Sequence, residues 1–141
     1  MELLYRSSRD GTKSDDCHNK CDNQGPTICL FKNDRGNIFG GYSSISRYNG
    51  SYKSAPGSFL FTLSNIYNTA PTKFQNPSNS CSLCGNGLGL TFGGGHDIFI
   101  SSDFTNNNSS YCNFPHSYED NLGKGKSIFT GNTNDNKLKI K

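Results

Sequence analysis

Valine is absent from this chain, and alanine and glutamate occur only twice each among its 141 residues. Ten Phe, seven Tyr, ten Leu and eight Ile must therefore supply the core, which we expect to be rich in aromatic side chains. Aromatic and β-branched residues favour strands, whereas Ala and Glu are good helix formers. Eighteen Asn and 16 Gly add many turns. The composition predicts a β-rich domain and argues against a helix bundle.

Length and charge restrict the class of protein further. A chain of 141 residues suits one domain, and its net charge of +3 is too small, and too evenly spread, to indicate nucleic acid as a partner. No apolar run approaches the roughly 20 residues that a membrane helix needs. The N-terminus, Met1-Glu2-Leu3-Leu4, lacks the layout of a signal peptide. We therefore expect a single cytoplasmic domain over residues 1–141 with no stable membrane insertion.

One helix is predicted near the N-terminus, from about Ser14 to Cys21, with Thr12 or Ser14 as the N-cap. Gly25-Pro26 prevents a longer helix. Cys17 and Cys21 then lie one turn apart on the same helix face.

Strands are predicted for most of the remaining chain. Residues 27–32 and 37–42 flank a turn and indicate a β-hairpin, and the glycines at 40–41 indicate a bulge or a close backbone approach. Residues 59–63 form the most apolar run and are predicted to be a central buried strand. Further strands are predicted at the following segments: 81–84, 88–92, 97–100, 127–129 and 137–141.

The cysteines allow two kinds of site that the spacing does not favour. Cys81 and Cys84 form a Cys-x-x-Cys motif. A four-ligand zinc site would also need Cys17 and Cys21. Structural zinc sites usually take each ligand pair from a tight turn, whereas Cys17 and Cys21 lie on a predicted helix. A thioredoxin-like site needs a helix after the motif, and glycines follow instead. We expect reduced, mostly buried thiols, with no metal and no cofactor.

Acidic and histidine residues offer a second set of candidates. His96 and Asp97 follow three glycines, and His116 precedes Glu119 and Asp120. These residues could form a nucleophile–His–carboxylate triad with a Cys or Ser, but their spacing in the sequence does not favour any particular triad. The favoured interpretation is that His96 and Asp97 hydrogen-bond local backbone. Near the N-terminus, Arg9 is expected to pair with Asp10 or with a distant acid such as Asp120.

Taken in order, many short segments of this chain resemble the TLDc domain family. None is decisive alone, but together they span nearly the whole sequence. They are Leu3-Leu4-Tyr5-Arg6-Ser7-Ser8-Arg9-Asp10-Gly11, His18, Lys20-Cys21-Asp22-Asn23-Gln24-Gly25-Pro26-Thr27, Ile38-Phe39-Gly40-Gly41-Tyr42, Tyr52-Lys53-Ser54-Ala55-Pro56, Phe59-Leu60-Phe61, Leu63, Phe92-Gly93-Gly94-Gly95-His96-Asp97-Ile98, Ser117-Tyr118-Glu119-Asp120 and Phe129-Thr130-Gly131.

The resemblance implies two antiparallel β-sheets packed as a sandwich, with short helices at the edges. It also implies a eukaryotic protein of the oxidation-resistance type, in which the domain protects against oxidative stress and binds the vacuolar-type proton ATPase. No reaction is established for the family, so the resemblance favours a binding module over an enzyme. It marks His96, Asp97, Glu119 and Asp120 as signature positions for binding, without a proven role.

This chain departs from the family pattern at its ends and at two cysteines. The family's N-terminal helical segment and the end of its last strand are missing, so we expect a shortened domain. Cys17 stands where relatives have an aromatic residue, and Cys81 is unusual.

Two functional hypotheses follow. The first is a non-catalytic interaction domain that regulates the proton ATPase, although a scaffold role with another partner stays open. The second is thiol chemistry, in which Cys17, Cys81, Cys84 or Cys112 consumes oxidant directly or works with His96, including as a hydrolase.

Overall fold

The computed structural model describes residues 1–47, 53–77, 80–81 and 89–141, with the side chains of 80 and 81 left aside. Short helices and antiparallel strands make up its regular structure. The helices are α1 (Ser7–Asp10), α2 (Ser14–Cys21) and α3 (Ser127–Thr130). The strands are β1 (Thr27–Lys32), β2 (Ile38–Ser43), β3 (Lys53–Ser54), β4 (Phe59–Ser64), β5 (Thr72–Gln75), β6 (Ser80–Cys81), β7 (Leu90–Phe92) and β8 (Ile98–Ile100).

The largest sheet has four strands in the order β1-β2-β4-β5, all antiparallel. The predicted hairpin is confirmed, since β1 pairs with β2 from Thr27 opposite Ser43 to Lys32 opposite Ile38. The register between β2 and β4 shifts between Ile38 and Phe39, so the irregularity lies outside the glycine pair. Strand β4 is an interior strand of this sheet, as its apolar sequence predicts.

Two shorter antiparallel pairs complete the described strands. Strand β7 pairs with β8, from Leu90 opposite Ile100 to Phe92 opposite Ile98. Strand β3 pairs with β6. The predicted strand at 81–84 therefore begins at Ser80, while Cys84 lies outside the described residues. The predicted mostly-β fold with short helices is confirmed.

The core is aromatic, as the composition predicts, and it draws on the four-stranded sheet and on the β7–β8 pair. Phe39, Leu60 and Phe74 of the large sheet share one buried cluster with Phe92 of β7 and Ile98 of β8. The C-terminal part of the chain closes this cluster with Phe114, Tyr118, Ile128, Phe129, Leu138 and Ile140.

The two glycines of β2 allow this packing. A Cβ atom on Gly41 would lie 2.5 Å from the Phe92 ring, and one on Gly40 would lie 1.9 Å from the Cys29 carbonyl oxygen. Both distances are far below van der Waals contact. The close backbone approach expected from the sequence is therefore confirmed.

Helix α2 has the predicted bounds, but its predicted N-cap is wrong. Lys13 is the N-cap, and its N–H donates to the Asp16 carboxylate at 3.1 Å. Thr12 instead donates its hydroxyl to Asp103 at 2.9 Å, and the Ser14 N–H donates to the Ser102 hydroxyl. The Thr12 hydroxyl, one of the two groups expected to cap the helix, is thus engaged by the 102–103 loop, whereas Ser14 offers that loop only its backbone N–H. No helix in the described parts of the chain is long and apolar enough to cross a bilayer.

The strand predicted at 127–129 is wrong, because Ser127–Thr130 form helix α3 with all four residues buried. Gly131 ends the helix in the left-handed conformation, with φ of 71°. The segment 137–141 has the predicted alternation, since Leu138 and Ile140 are buried between exposed lysines. It makes isolated bridges, Lys137 to Tyr111 and Ile140 to Asn33, rather than a continuous strand.

Candidate functional site

Asp97 is a fully buried carboxylate that fastens a distant loop. It accepts hydrogen bonds from the backbone N–H groups of His116 at 2.8 Å, Ser117 at 3.0 Å and Tyr118 at 3.2 Å. Ionised carboxylates accept such bonds more strongly than neutral oxygens do, which offsets the cost of burial. The predicted backbone contact of Asp97 is present, but its partners lie about 20 residues away rather than nearby.

His96 is part of an aromatic group beside the β7–β8 turn. Its Nδ1 is 2.5 Å from the Tyr111 hydroxyl, and its ring stacks on Phe99 with centroids 5.6 Å apart. Its N–H donates to the Gly93 carbonyl at 3.1 Å and closes the turn. This local bond is made by the His96 backbone, whereas the described contacts of its ring are with Tyr111 and Phe99.

The glycines of this turn serve two different purposes. Gly93 has φ of +90°, and a Cβ there would lie 2.0 Å from the Asp97 carboxylate. A Cβ on Gly95 would lie 2.2 Å from the His116 ring. Backbone flexibility alone does not account for these glycines, because the turn also needs room for Asp97 and for the 116–118 loop.

Glu119 and Asp120 are adjacent, but they have different surroundings. Asp120 accepts hydrogen bonds from the N–H groups of Leu122, Gly123 and Gly125, the shortest at 2.6 Å. It therefore holds the loop that leads into α3. Glu119 is exposed, and its N–H donates to the Gln75 carbonyl of β5 at 2.8 Å. Of the four signature positions, Asp97 and Asp120 organise loops, and the Glu119 side chain faces solvent.

The Arg9 partner left open by the sequence is its neighbour Asp10. Two guanidinium nitrogens of Arg9 donate to the two carboxylate oxygens at 2.8 and 2.7 Å. The pKa of Asp10 lies below its ordinary value because of this hydrogen bonding and because the Arg6 N–H also donates to it. The Arg9 side chain is 50% exposed and the Asp10 side chain 8% exposed, so solvent screens this pair from the arginine side.

The four-stranded sheet is apolar on the face that points away from the core as well. Ile28 and Leu30 of β1 are 52% and 63% exposed, and they alternate with half-buried residues that point inward. The same side carries an aromatic row, in which Tyr42 contacts Phe59 at 5.2 Å and Phe59 contacts Phe61 at 6.3 Å between centroids. We call this surface the outer sheet face. Its members are Ile28, Leu30 and Leu63, which are exposed, Tyr42 and Phe59, which are half-buried, and Phe61, which is buried.

Two features make the outer sheet face continuous. The Phe61 ring covers Gly40, where a Cβ would lie 2.6 Å from the ring, so no side chain separates β4 from β1 on this side. Lys73 of β5 places its ammonium 4.4 Å from the Phe59 centroid and forms a positively charged border. Exposed apolar patches of this kind mark protein interaction sites on soluble domains.

This surface was not predicted from the sequence. Residues 59–63 were expected to be buried throughout, whereas Leu63 is 45% exposed. The available signal was the strand 27–32, which is apolar at consecutive positions although it lies at a sheet edge. An edge strand with a single buried face is expected to alternate apolar and polar residues.

The thiols lie in two different environments. Cys112 is fully buried, and burial raises its pKa to about 12, which makes it unreactive in the native protein. Cys17 and Cys21 are half-buried on α2, with sulfur atoms 3.9 Å apart. His96 was the histidine expected to work with a thiol, and the described contacts of its ring are with Tyr111 and Phe99. Cys84 and the rest of its motif lie outside the described residues.

These features define a small, mostly antiparallel β domain with carboxylate-fastened loops and an apolar outer sheet face. A family model described as TLDc domain matches residues 1–141, and the chain belongs to that family. The resemblance found in the sequence is thus confirmed over the whole chain.

Two curated relatives are similar to part of the chain. Both carry the name Oxidation resistance protein 1 and come from Cryptococcus neoformans var. neoformans serotype D, strains JEC21 and B-3501A. Each is 32% identical over 90 residues, which cover 60% of this chain and 19% of the relative. The match therefore spans about a fifth of the relatives' length.

Proposed function

We propose that this domain is a non-catalytic interaction module whose outer sheet face docks on a peripheral subunit of the vacuolar-type proton ATPase. The observation that carries the proposal is the exposure of Ile28 and Leu30 beside the aromatic row of Tyr42, Phe59 and Phe61. Burying such a patch removes apolar area from water, which favours association by roughly 25 cal/mol per Å² before the costs of binding. The choice of partner rests on the family.

The signature residues support this role indirectly. Asp97 and Asp120 fix the 116–118 and 121–125 loops, and Glu119 lies between them with its side chain in solvent. In this proposal they give the domain a fixed shape, and Glu119 is available for a polar contact at the border of an interface. The contact of Phe92 in β7 with Gly41 in β2 supports a sandwich of the β7–β8 pair on the four-stranded sheet. In such a sandwich the outer sheet face is left for a partner.

The physiological result that we propose is resistance to oxidative stress, as the name of the fungal relatives suggests. Binding that favours one assembly state of the pump shifts its equilibrium by mass action, without covalent chemistry. The same logic places the domain in the cytoplasm, where the peripheral subunits are found.

The experiment measures binding of the chain to the purified peripheral sector of the proton ATPase. Leu30→Asp places a charge at the most exposed apolar side chain of the outer sheet face. Leu3→Asp is the matched control, because Leu3 is 57% exposed in the N-terminal segment and Leu30 is 63% exposed. We expect wild type and Leu3→Asp to bind and Leu30→Asp to lose at least about ten-fold in affinity, which is 1.4 kcal/mol.

Circular dichroism of all three proteins shows whether each is folded. Equal binding by folded Leu30→Asp would remove the outer sheet face from the proposal while keeping the partner. No binding by folded wild type would remove the partner itself. A peroxide survival assay in cells expressing wild type or Leu30→Asp then tests the physiological step.

A further inference from the structure

Helix α2 carries two thiols in contact. Cys17 and Cys21 are one turn apart, and the Cys17 thiol donates to the Cys21 sulfur at 3.9 Å. Both residues are half-buried, so small molecules in solvent have access to them. A thiol pair at this distance needs only a local movement to form a covalent bond, because a disulfide joins its sulfurs at about 2.0 Å.

The pair lines a small cleft between α2 and the strands beneath it. The other lining residues include Ser14, His18 and Arg47, and the cleft volume is about 20 Å³. A space of this size holds one water-sized molecule. A small oxidant that enters this cleft lies next to both sulfurs.

A hydrogen bond from Cys17 favours the thiolate form of Cys21. The pKa of the Cys21 thiol lies below its ordinary value because Cys17 donates a hydrogen bond to it, and the positive charge of Arg47 acts in the same direction. Partial burial and the carboxylates of Asp22 and Asp10 oppose this effect. Arg47 is held in place by stacking on Phe92, with its guanidinium carbon 4.4 Å from the ring centroid.

Other described thiols have the opposite tendency. Burial raises the pKa of Cys29 and of Cys112. The thiolate is the nucleophile in reactions with peroxides and disulfides. Selective oxidation is therefore expected at α2.

We propose that Cys17 and Cys21 form a redox site that hydrogen peroxide converts to a reversible disulfide within α2. The Cys21 thiolate attacks one peroxide oxygen, the O–O bond breaks, and Cys21 becomes a sulfenic acid. The departing hydroxide takes up a proton and leaves as water. The Cys17 sulfur then attacks the sulfenic sulfur, the S–O bond breaks, and a second water leaves with the Cys17 proton. Two thiols are oxidised and one hydrogen peroxide is reduced in total.

Closing this disulfide changes the end of α2. Side chains at i and i+4 of a regular helix have Cβ atoms about 5–6 Å apart, whereas a disulfide requires about 3.5–4.5 Å. The last turn must tighten or unwind. Two contacts hold that turn. The Asn23 N–H, just after the helix, donates to the Arg47 carbonyl at 2.8 Å. The His18 Nδ1 lies 2.8 Å from the Asp22 carboxylate. Oxidation of the pair is thus coupled to the contact between α2 and the core.

The test is peptide mapping of the folded chain after hydrogen peroxide treatment and alkylation. Trypsin cleaves after Lys13, Lys20 and Lys32, so Cys17 and Cys21 fall in separate peptides, 14–20 and 21–32. We expect these two peptides to be linked by a disulfide between Cys17 and Cys21 and to separate again with dithiothreitol. Because peptide 21–32 also contains Cys29, fragment ions are used to show which of its two cysteines carries the link. Cys21 should react about ten-fold faster or more than Cys112.

A variant checks the order of the steps. In Cys17→Ser, we expect the linked peptides to disappear and a dimedone adduct to accumulate on Cys21. Cys29→Ser is the matched control and should keep the link. The proposal is overturned if Cys17 and Cys21 in the folded wild type alkylate after peroxide as fully as before, or if the link joins Cys17 to Cys29. The assay contains no ATPase, so its result is independent of the proposed docking.

Discussion

The two carboxylate oxygens of Asp97 both accept the N–H of Ser117, each at 3.0 Å, across 20 residues of sequence. This contact joins the start of β8 to the loop that carries Glu119 and Asp120. One buried charge therefore determines how two of the signature segments lie relative to each other.

Asp97→Asn should destabilise the domain by about 2–4 kcal/mol. The side-chain amide carries no charge, and its NH₂ group would face backbone N–H groups that are themselves donors. Urea unfolding measures the free energy. Glu119→Gln is the control at an exposed signature position, and its change should stay within about 0.5 kcal/mol. Equal effects for the two variants would contradict the role given to Asp97.

Gly93→Ala should lower stability by about 2–3 kcal/mol, because φ of +90° is strained for alanine and its Cβ would lie 2.0 Å from Asp97. Gly94→Ala is the matched control, since its Cβ would lie 3.5 Å from the Ser117 hydroxyl, an ordinary contact. Its effect should remain under about 1 kcal/mol. Thermal unfolding of both variants provides the comparison, and similar losses would refute the steric argument.

Asn33→Asp should destabilise the domain by about 3 kcal/mol. The Asn33 amide is buried and donates to the carbonyls of Phe129 and Thr130 at 3.0 and 3.1 Å, so a carboxylate there would oppose two acceptor oxygens. Chemical denaturation checks the value. The exposed Asn134→Asp should be close to neutral, and a stable Asn33→Asp protein would show that α3 does not depend on this bridge.

Cys112 should make stability fall at alkaline pH. Its pKa is raised from 9.0 to about 12 in the folded protein, so the unfolded chain loses this proton first as pH rises. The stability from this group is therefore complete below pH 9 and is lost between pH 9 and 12, with a slope of about 1 kcal/mol per pH unit.

Unfolding of wild type and Cys112→Ala in a phosphine reductant, at pH 8 to 11, isolates this contribution. The variant should show a shallower alkaline decline than wild type. Parallel curves would mean that the Cys112 thiol ionises equally in the folded and unfolded states.

Local patterns were sufficient for several parts of the fold. The bounds of α2, the hairpin of β1 and β2, and the interior position of β4 follow from helix-breaking residues, turn residues and apolar runs over fewer than ten residues, although the N-cap of α2 does not. The segment 127–129 shows where this approach fails. A short apolar run does not distinguish a strand from a buried helical turn, and the surrounding core and Gly131 decide in favour of α3.

The sequence by itself determined the aromatic core, the mostly-β class and membership of the TLDc family, because composition and ordered motifs are properties of the chain alone. Only the tertiary structure decided that Asp97 binds the 116–118 backbone and that Ile28 and Leu30 stay exposed. It also placed Arg47 beside Cys21. Each of these depends on segments that are distant in sequence, and their approach is set by how the sheets pack rather than by any local preference.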